Sequence, residues 1–210
     1  MIELKELVVN GDYKGVEQRV AVLLGEGKAP GEILNKALIA AMDEVGERYQ
    51  KGDFFLPELL IAGRAMQVGL AVLRPAMVEK GVGFVGKAVM GTVKGDLHDL
   101  GKNLVNMALE GAGFEVIDVG IDVPPEKFVE AVRKHSPQVV GMSALLTTTA
   151  PAIKETIDAL SKAGLRSGVK IMIGGAPITQ DFARQVGADF YGPDSTAGKD
   201  FARRVVTGKA

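Results

Sequence analysis

The segment Gly95-Asp96-Leu97-His98-Asp99-Leu100-Gly101 sets one of only two histidines into a glycine-framed loop, two residues after a carboxylate. A carboxylate at that spacing takes the proton on one ring nitrogen of the imidazole. It thereby fixes the tautomer and makes the other nitrogen a better metal ligand. No second protein ligand stands nearby in the sequence. The other histidine, His135, sits beside Ser136-Pro137 near a helix end, where it reads as a solvent-facing residue that favours the helix dipole.

The elements around the loop say where it must lie. Upstream, Ala88-Val89-Met90-Gly91-Thr92-Val93 reads as a buried parallel strand, and downstream Lys102 to Leu109 has helical spacing. A loop at the carboxyl end of a strand is where open α/β sheets bind their ligands. Two further strand ends carry small or hydroxylated residues, Ser143-Ala144-Leu145-Leu146-Thr147-Thr148-Thr149 and Gly174-Gly175-Ala176-Pro177. Such side chains leave room between sheet and helices, and their hydroxyls bind polar atoms. The expected site therefore admits something long and polar into the core, with a metal at its mouth. Competing local tasks exist: Asp96 or Asp99 could cap the following helix, and the threonines at 147–149 could begin the next one.

Several classes are excluded. Gly91, Gly95 and Gly101 are too widely spaced for a dinucleotide-binding turn, and Gly101-Lys102-Asn103 lacks the hydroxyl that completes a P-loop. Without cysteine there is no disulfide, thiolate zinc site, iron–sulfur cluster or thiol nucleophile. The net charge of −1, with Lys and Arg scattered among acids, gives no field for nucleic acid. The N-terminus lacks the order of a signal peptide, and no apolar run approaches a membrane span, so no membrane partner is expected and the cytoplasm is the expected location.

The 210 residues, 47% apolar and 24% charged, suffice for two small domains with buried cores. Residues 1–80 carry helical stripes: Val16, Val20, Leu23, Leu24; then Ile33 to Tyr49; then Leu59 to Met77. Lys51-Gly52-Asp53 reads as a turn, Pro57 as a helix start, and Pro75 as a kink or end. Four antiparallel helices with short connections make a bundle, which could also serve as a lid. Residues 81–87 read as a glycine-rich linker. From 88 to 210, strand and helix alternate regularly, which predicts a five-stranded parallel sheet in a flavodoxin-like (Rossmann-like) α/β domain wrapped on both faces.

Asp96-x-His98-x-x-Gly101, followed by Ser143-x-Leu145 and Gly174-Gly175, resembles the three-part signature of cobalamin-binding domains. The resemblance extends over essentially the whole chain. Phe54-Phe55-Leu56-Pro57-Glu58-Leu59 and the helices before it resemble the cap domain of methionine synthase, a pairing also present in the corrinoid proteins of methanol, methylamine and methoxy-aromatic methyltransferase systems. It implies a corrinoid bound base-off, with His98 as the lower cobalt ligand and the displaced nucleotide tail in a deep cleft. That would account for the single protein ligand, since the corrin ring provides four nitrogens. Asp96 would hydrogen-bond the distal nitrogen. Thr149, where methionine synthase has a serine, would extend the relay, with Thr147 and Thr148 competing for that place. Gly95, Leu97, Asp99, Gly101 and Leu145 would face the cofactor, and Ser143, Thr147, Gly174 and Gly175 would line the cleft. Asp194 matches a cofactor-facing loop loosely. Phe55 and Leu56, with Met66 a weaker candidate, would cover the corrin.

By the same resemblance the chain would be a methyl carrier, a component of a multi-protein system and not a complete enzyme, holding the methylated cofactor in turn. Its partners would be a substrate-specific methyltransferase, a second methyltransferase with a tetrahydrofolate or thiol acceptor, and a reductive activase. Two alternatives share the histidine motif: the small subunit of an adenosylcobalamin mutase, which as a rule lacks the helical half, and a cobalamin-sensing regulator, which usually carries a DNA-binding or signalling domain.

Overall fold

The computed structural model describes residues 1–208. Its contacts divide the chain into two compact units, Met1–Val85 with Glu110–Gly113, and Gly86–Leu109 with the chain from Phe114 onward.

The first unit is helical. α1 (Ile2–Val9) and α2 (Tyr13–Gly25) are separated by a short turn, in which Asp12 caps α2 by accepting from the Gly15 N–H at 2.9 Å. α3 (Pro30–Ile33) starts on a proline and runs through a π-helical stretch, Leu34–Ile39, into α4 (Ala40–Lys51). Gly52 ends α4 in the left-handed region at φ 79°. α5 (Leu56–Glu79) begins with Pro57 in its first turn, and the Glu58 carboxylate accepts from the Phe55 N–H at 2.9 Å. The continuous α3–α4 helix makes this a unit of four joined helices around Leu4, Val16, Leu38, Val45, Met66 and Leu73.

Two expectations need correction here. Pro75 does not end α5, which continues for four more residues. The carbonyl that loses its donor belongs to Ala71, an exposed residue, so water can satisfy it. α5 is also long and apolar enough, by length and composition, to cross a membrane, contrary to the reading that no segment approaches a span. Ala62, Met66, Leu70, Leu73 and Met77 are instead buried in the helical core.

The second unit is an open parallel sheet in the order β2-β1-β3-β4-β5. Its strands are β1 (Gly86–Thr92), β2 (Phe114–Asp118), β3 (Val139–Ser143), β4 (Lys170–Gly174) and β5 (Phe190–Tyr191), so β1 takes in Gly86 and Lys87 from the expected linker. The helices are α6 (Leu100–Gly111), α7 (Pro125–His135), α8 (Pro151–Lys162), α9 (Gln180–Val186) and α10 (Ser195–Val206), with a 3-10 turn at Arg166–Gly168. This is the flavodoxin-like order. One sheet face, through Val89, Val140, Met142, Ile171 and Ile173, packs on Phe128, Ile153, Ile157 and Leu160. Alternation sends Met90, Thr92, Gly141, Ser143, Met172 and Gly174 to the other face.

Candidate functional site

In this strand order the chain reverses direction across the sheet between β1 and β3, which opens a crevice at their carboxyl ends. The two loops that border it are the His98 loop after β1 and the Leu145–Thr149 loop after β3. One buried side chain joins them. Asp96 has no exposed surface. Its Oδ1 accepts from the His98 backbone N–H at 3.1 Å and lies 2.7 Å from His98 Nδ1. Its Oδ2 accepts from the Leu145 N–H at 2.7 Å and from Thr149 Oγ1 at 2.6 Å.

Burial alone would raise the pKa of the Asp96 carboxyl. The hydrogen bonds from Thr149, Leu145 and His98 outweigh it and hold the group well below the ordinary 3.8. An ionised carboxylate only accepts, so it places a His98 proton on Nδ1, and in the neutral ring the lone pair is then on Nε2. The His98 side chain is 51% exposed. Thr149 has a single hydroxyl proton and two acceptors in reach, Asp96 at 2.6 Å and the Leu146 carbonyl at 3.0 Å; the shorter, charge-assisted bond takes it. Thr147 and Thr148 are exposed, whereas Thr149 is buried and makes this contact.

The loop backbone is fixed as well. Gly95 turns at φ 82°, and its N–H donates to Asp122 Oδ1 at 2.6 Å. The Asp122 N–H returns to the Asp96 carbonyl at 2.9 Å. From below, Thr92 Oγ1 donates to the His98 carbonyl at 2.9 Å and sits 2.9 Å from Ser143 Oγ. A hydroxyl has one proton, so Thr92 donates upward and Ser143 donates to Thr92. Behind the loop, buried Lys102 pairs with Asp118, which also accepts from Asn106 Nδ2 at 2.9 Å, tying the start of α6 to the tip of β2.

On the loops that border His98, Leu97 (67% exposed), Leu100, Ile121, Leu145 and Leu146 are large hydrophobic residues left open, among exposed Lys94, Asp99 and Asp122. At the third strand end, a Cβ on Gly175 would lie 1.9 Å from the Ala144 carbonyl oxygen, and one on Gly174 would lie 2.9 Å from that of Gly192. Backbones there approach as only glycine permits. Asp99 accepts from Asn103 Nδ2 at 3.0 Å, and Gly101 stands exposed with nothing within 4 Å of a built Cβ. Asp194 caps α10, accepting from the Ala197 N–H at 2.8 Å. Phe55 (66% exposed) and half-buried Leu56 belong to the helical unit. His135 is half-buried at the end of α7.

Ile121 and Asp122 were not singled out by the sequence reading, and Thr92, Leu100 and Leu146 stood within its segments without a role. Of these only Ile121 carried a hint, as an apolar residue inside a turn. The donor set suits a particular kind of metal. No group of three His, Cys, Asp or Glu side chains able to hold a metal ion occurs among the described residues. A single oriented imidazole on an apolar platform suits a metal whose in-plane ligands come with a flat macrocycle.

A doubly wound domain that offers one such imidazole at its switch point belongs to a definite class. Residues 86–201 match the B12 binding domain, and residues 3–74 match a second B12 binding domain. The chain is therefore a member of the B12 binding domain family of corrinoid proteins. It is 40% identical to trimethylamine corrinoid protein 1 of Methanosarcina mazei over 194 residues, 91% of this chain and 90% of that one. It is 46% identical to the dimethylamine corrinoid protein of Methanosarcina barkeri over 168 residues, 80% and 79% of the two chains. Among solved structures, a chain of the methanol:cobalamin methyltransferase complex of Methanosarcina barkeri superposes with a TM-score of 0.88 at 30% identity, over 98% of this chain and 79% of that one. A cobalamin-binding protein of Desulfitobacterium hafniense gives 0.71 at 34% identity, over 96% of each.

Proposed function

We propose that this chain is a cytoplasmic methyl carrier that holds a corrinoid base-off, with His98 Nε2 as the lower cobalt ligand. The observation that carries the reading is the Asp96 carboxylate, which fixes the imidazole tautomer with one oxygen while the other ties down the loop after β3. When bound, the corrinoid supplies a cobalt centre able to accept and give up a methyl group. The protein's own residues do the rest. Asp96 keeps the Nδ1 proton in place and raises the basicity of Nε2. Thr149 and the Leu145 amide keep Asp96 ionised, and Thr92 and Asp122 hold the height of the loop.

Leu97, Leu100, Ile121, Leu145 and Leu146 would exclude water from the ring face, and the open space at Gly101 would admit its edge. Ser143, Thr147, Gly174 and Gly175 would line the path of the nucleotide tail. By the resemblance to the cap domain, Phe55 and Leu56 would cover the corrin, and Asp194 would belong to a cofactor-facing loop. Relatives named for trimethylamine and dimethylamine, together with the methanol complex, support a substrate-specific methyltransferase as one partner. A second methyltransferase with a tetrahydrofolate or thiol acceptor and a reductive activase complete the proposal.

The test is reconstitution with hydroxocobalamin, reduction to cobalt(II), and electron paramagnetic resonance of protein carrying 15N-labelled histidine. A nitrogen splitting that changes from triplet to doublet with the label, and disappears in His98→Ala, is expected. A splitting indifferent to the label would mean that the cofactor's own base, not His98, ligates cobalt.

A further inference from the structure

On the sheet face opposite Phe128, the register partners of β1, β3 and β4 form two rows. The row at the strand tips is Thr92, Ser143 and Gly174. One pleat deeper, about 7 Å by strand rise, lies the row Met90, Gly141 and Met172. A Cβ built on Gly141 would lie 2.3 Å from Met90 Sδ, 2.5 Å from Met90 Cε and 3.0 Å from Met172 Cε. Both thioether tips therefore lean over the one position of the row that has no side chain. Both methionines are buried, at 4% exposure each. Opposite them, a Cβ on Gly198 of α10 would be 3.8 Å from Met172 Sδ and 3.5 Å from Val105 Cγ1 of α6, ordinary contact distances.

The composition of these rows is unusual for a parallel sheet, where branched aliphatic residues with one preferred rotamer dominate. Here the upper row is small and hydroxylated, and the lower row pairs a strand glycine with two unbranched side chains. Methionine has three rotatable bonds and a polarisable sulfur that makes favourable contacts with aromatic rings. Its tip has more torsional freedom to leave the space over Gly141 than a branched Leu, Ile or Val side chain has.

We propose that Met90 and Met172 form an adjustable floor beneath the Thr92–Ser143–Gly174 row, and that their thioethers withdraw to seat the flat heteroaromatic base of the corrinoid's nucleotide tail. They thereby determine which lower bases the protein admits. This rests on the corrinoid reading above and deepens it.

The test uses the full chain with ε-13C-methyl methionine, titrated separately with hydroxocobalamin and with cobinamide, which has the same ring but no nucleotide. Both compounds bind, and the Met90 and Met172 methyl resonances, assigned through the Leu variants, move with hydroxocobalamin only. Met90→Leu and Met172→Leu conserve volume but stiffen the floor; each lowers affinity for hydroxocobalamin about tenfold and leaves cobinamide within about twofold. Equal methyl shifts with both compounds, silent methyls, or affinities for both compounds that fall together or not at all would overturn the floor while leaving the corrinoid reading intact. A parent protein that binds neither compound would overturn the corrinoid reading itself.

Discussion

A carboxylate sealed from solvent is stabilised only by what it touches, and Asp96 touches four donors at 3.1 Å or less. Because those bonds hold its pKa below the ordinary value, the folded state stays ionised where the unfolded chain takes up a proton. Its contribution to stability is complete above the ordinary carboxylate range and is lost as the pH falls through the depressed folded value. Below about pH 4 the loss is at most about 1.4 kcal/mol per pH unit from this group. Asp96→Asn should flatten that part of the profile, measured by urea unfolding at pH 5 and pH 3; parallel profiles for parent and variant would contradict it. The same variant offers an amide donor to His98 Nδ1, so the ring proton should move to Nε2, visible in the 15N shifts of His98. Thr149→Val removes one charge-assisted bond and should cost about 1.5–3 kcal/mol, while Thr149→Ser, which keeps the hydroxyl, should cost clearly less. A Val variant as stable as the parent would contradict a stabilising bond from the Thr149 hydroxyl to Asp96.

Among the elements, the strand tips differ in what they demand of the chain. Gly175 sits at φ 128° with the Ala144 carbonyl where a Cβ would go, so Gly175→Ala must push β3 and β4 tips apart, at about 2 kcal/mol or more. Gly101, from the same sequence signature, has ordinary φ and open space within the first turn of α6. Gly101→Ala should leave stability unchanged or raise it by up to about 1 kcal/mol. Denaturant midpoints that fall alike for both would remove this distinction. The contrast also marks what the sequence could reveal. The alternation of strands and helices is written in local periods, which is why it was legible, whereas the link between Asp96, His98, Ser143 and Gly174 was read from the resemblance to cobalamin-binding domains. Thr92 and Asp122 act through partners 51 and 27 residues away, and nothing in their own neighbourhoods announces those bonds. Leu100 and Leu146 sit at positions that helical spacing or a loop explains equally well; only the folded edge reveals them as open. Pro75 misled because its effect depends on whether the deprived carbonyl faces water, a property of the folded helix.

At the scale of the whole molecule, a helical unit accompanies an α/β unit that carries the proposed ligand His98 and the carboxylate that orients it. The helical unit has its own core, and α5, whose apolar length alone suggests a membrane span, is its central member. What it adds is apolar surface not needed for that core. Phe55 is 66% exposed at the start of α5, immediately before the first helical turn, where its backbone N–H is already taken by Glu58. An aromatic ring at a helix start that is two-thirds exposed has little packing to forfeit on removal. Phe55→Ala should therefore change folding stability by no more than about 0.5 kcal/mol. If the ring instead shields the cofactor, the variant reconstituted with methylcobalamin should lose its methyl absorption bands faster under constant illumination. Under the proposed ligation, the nitrogen splitting of the cobalt(II) form should persist unchanged, because Phe55 lies outside the α/β unit. Equal photolysis rates in variant and parent would remove Phe55 from the cover and leave the helical unit's apolar surface to a partner methyltransferase.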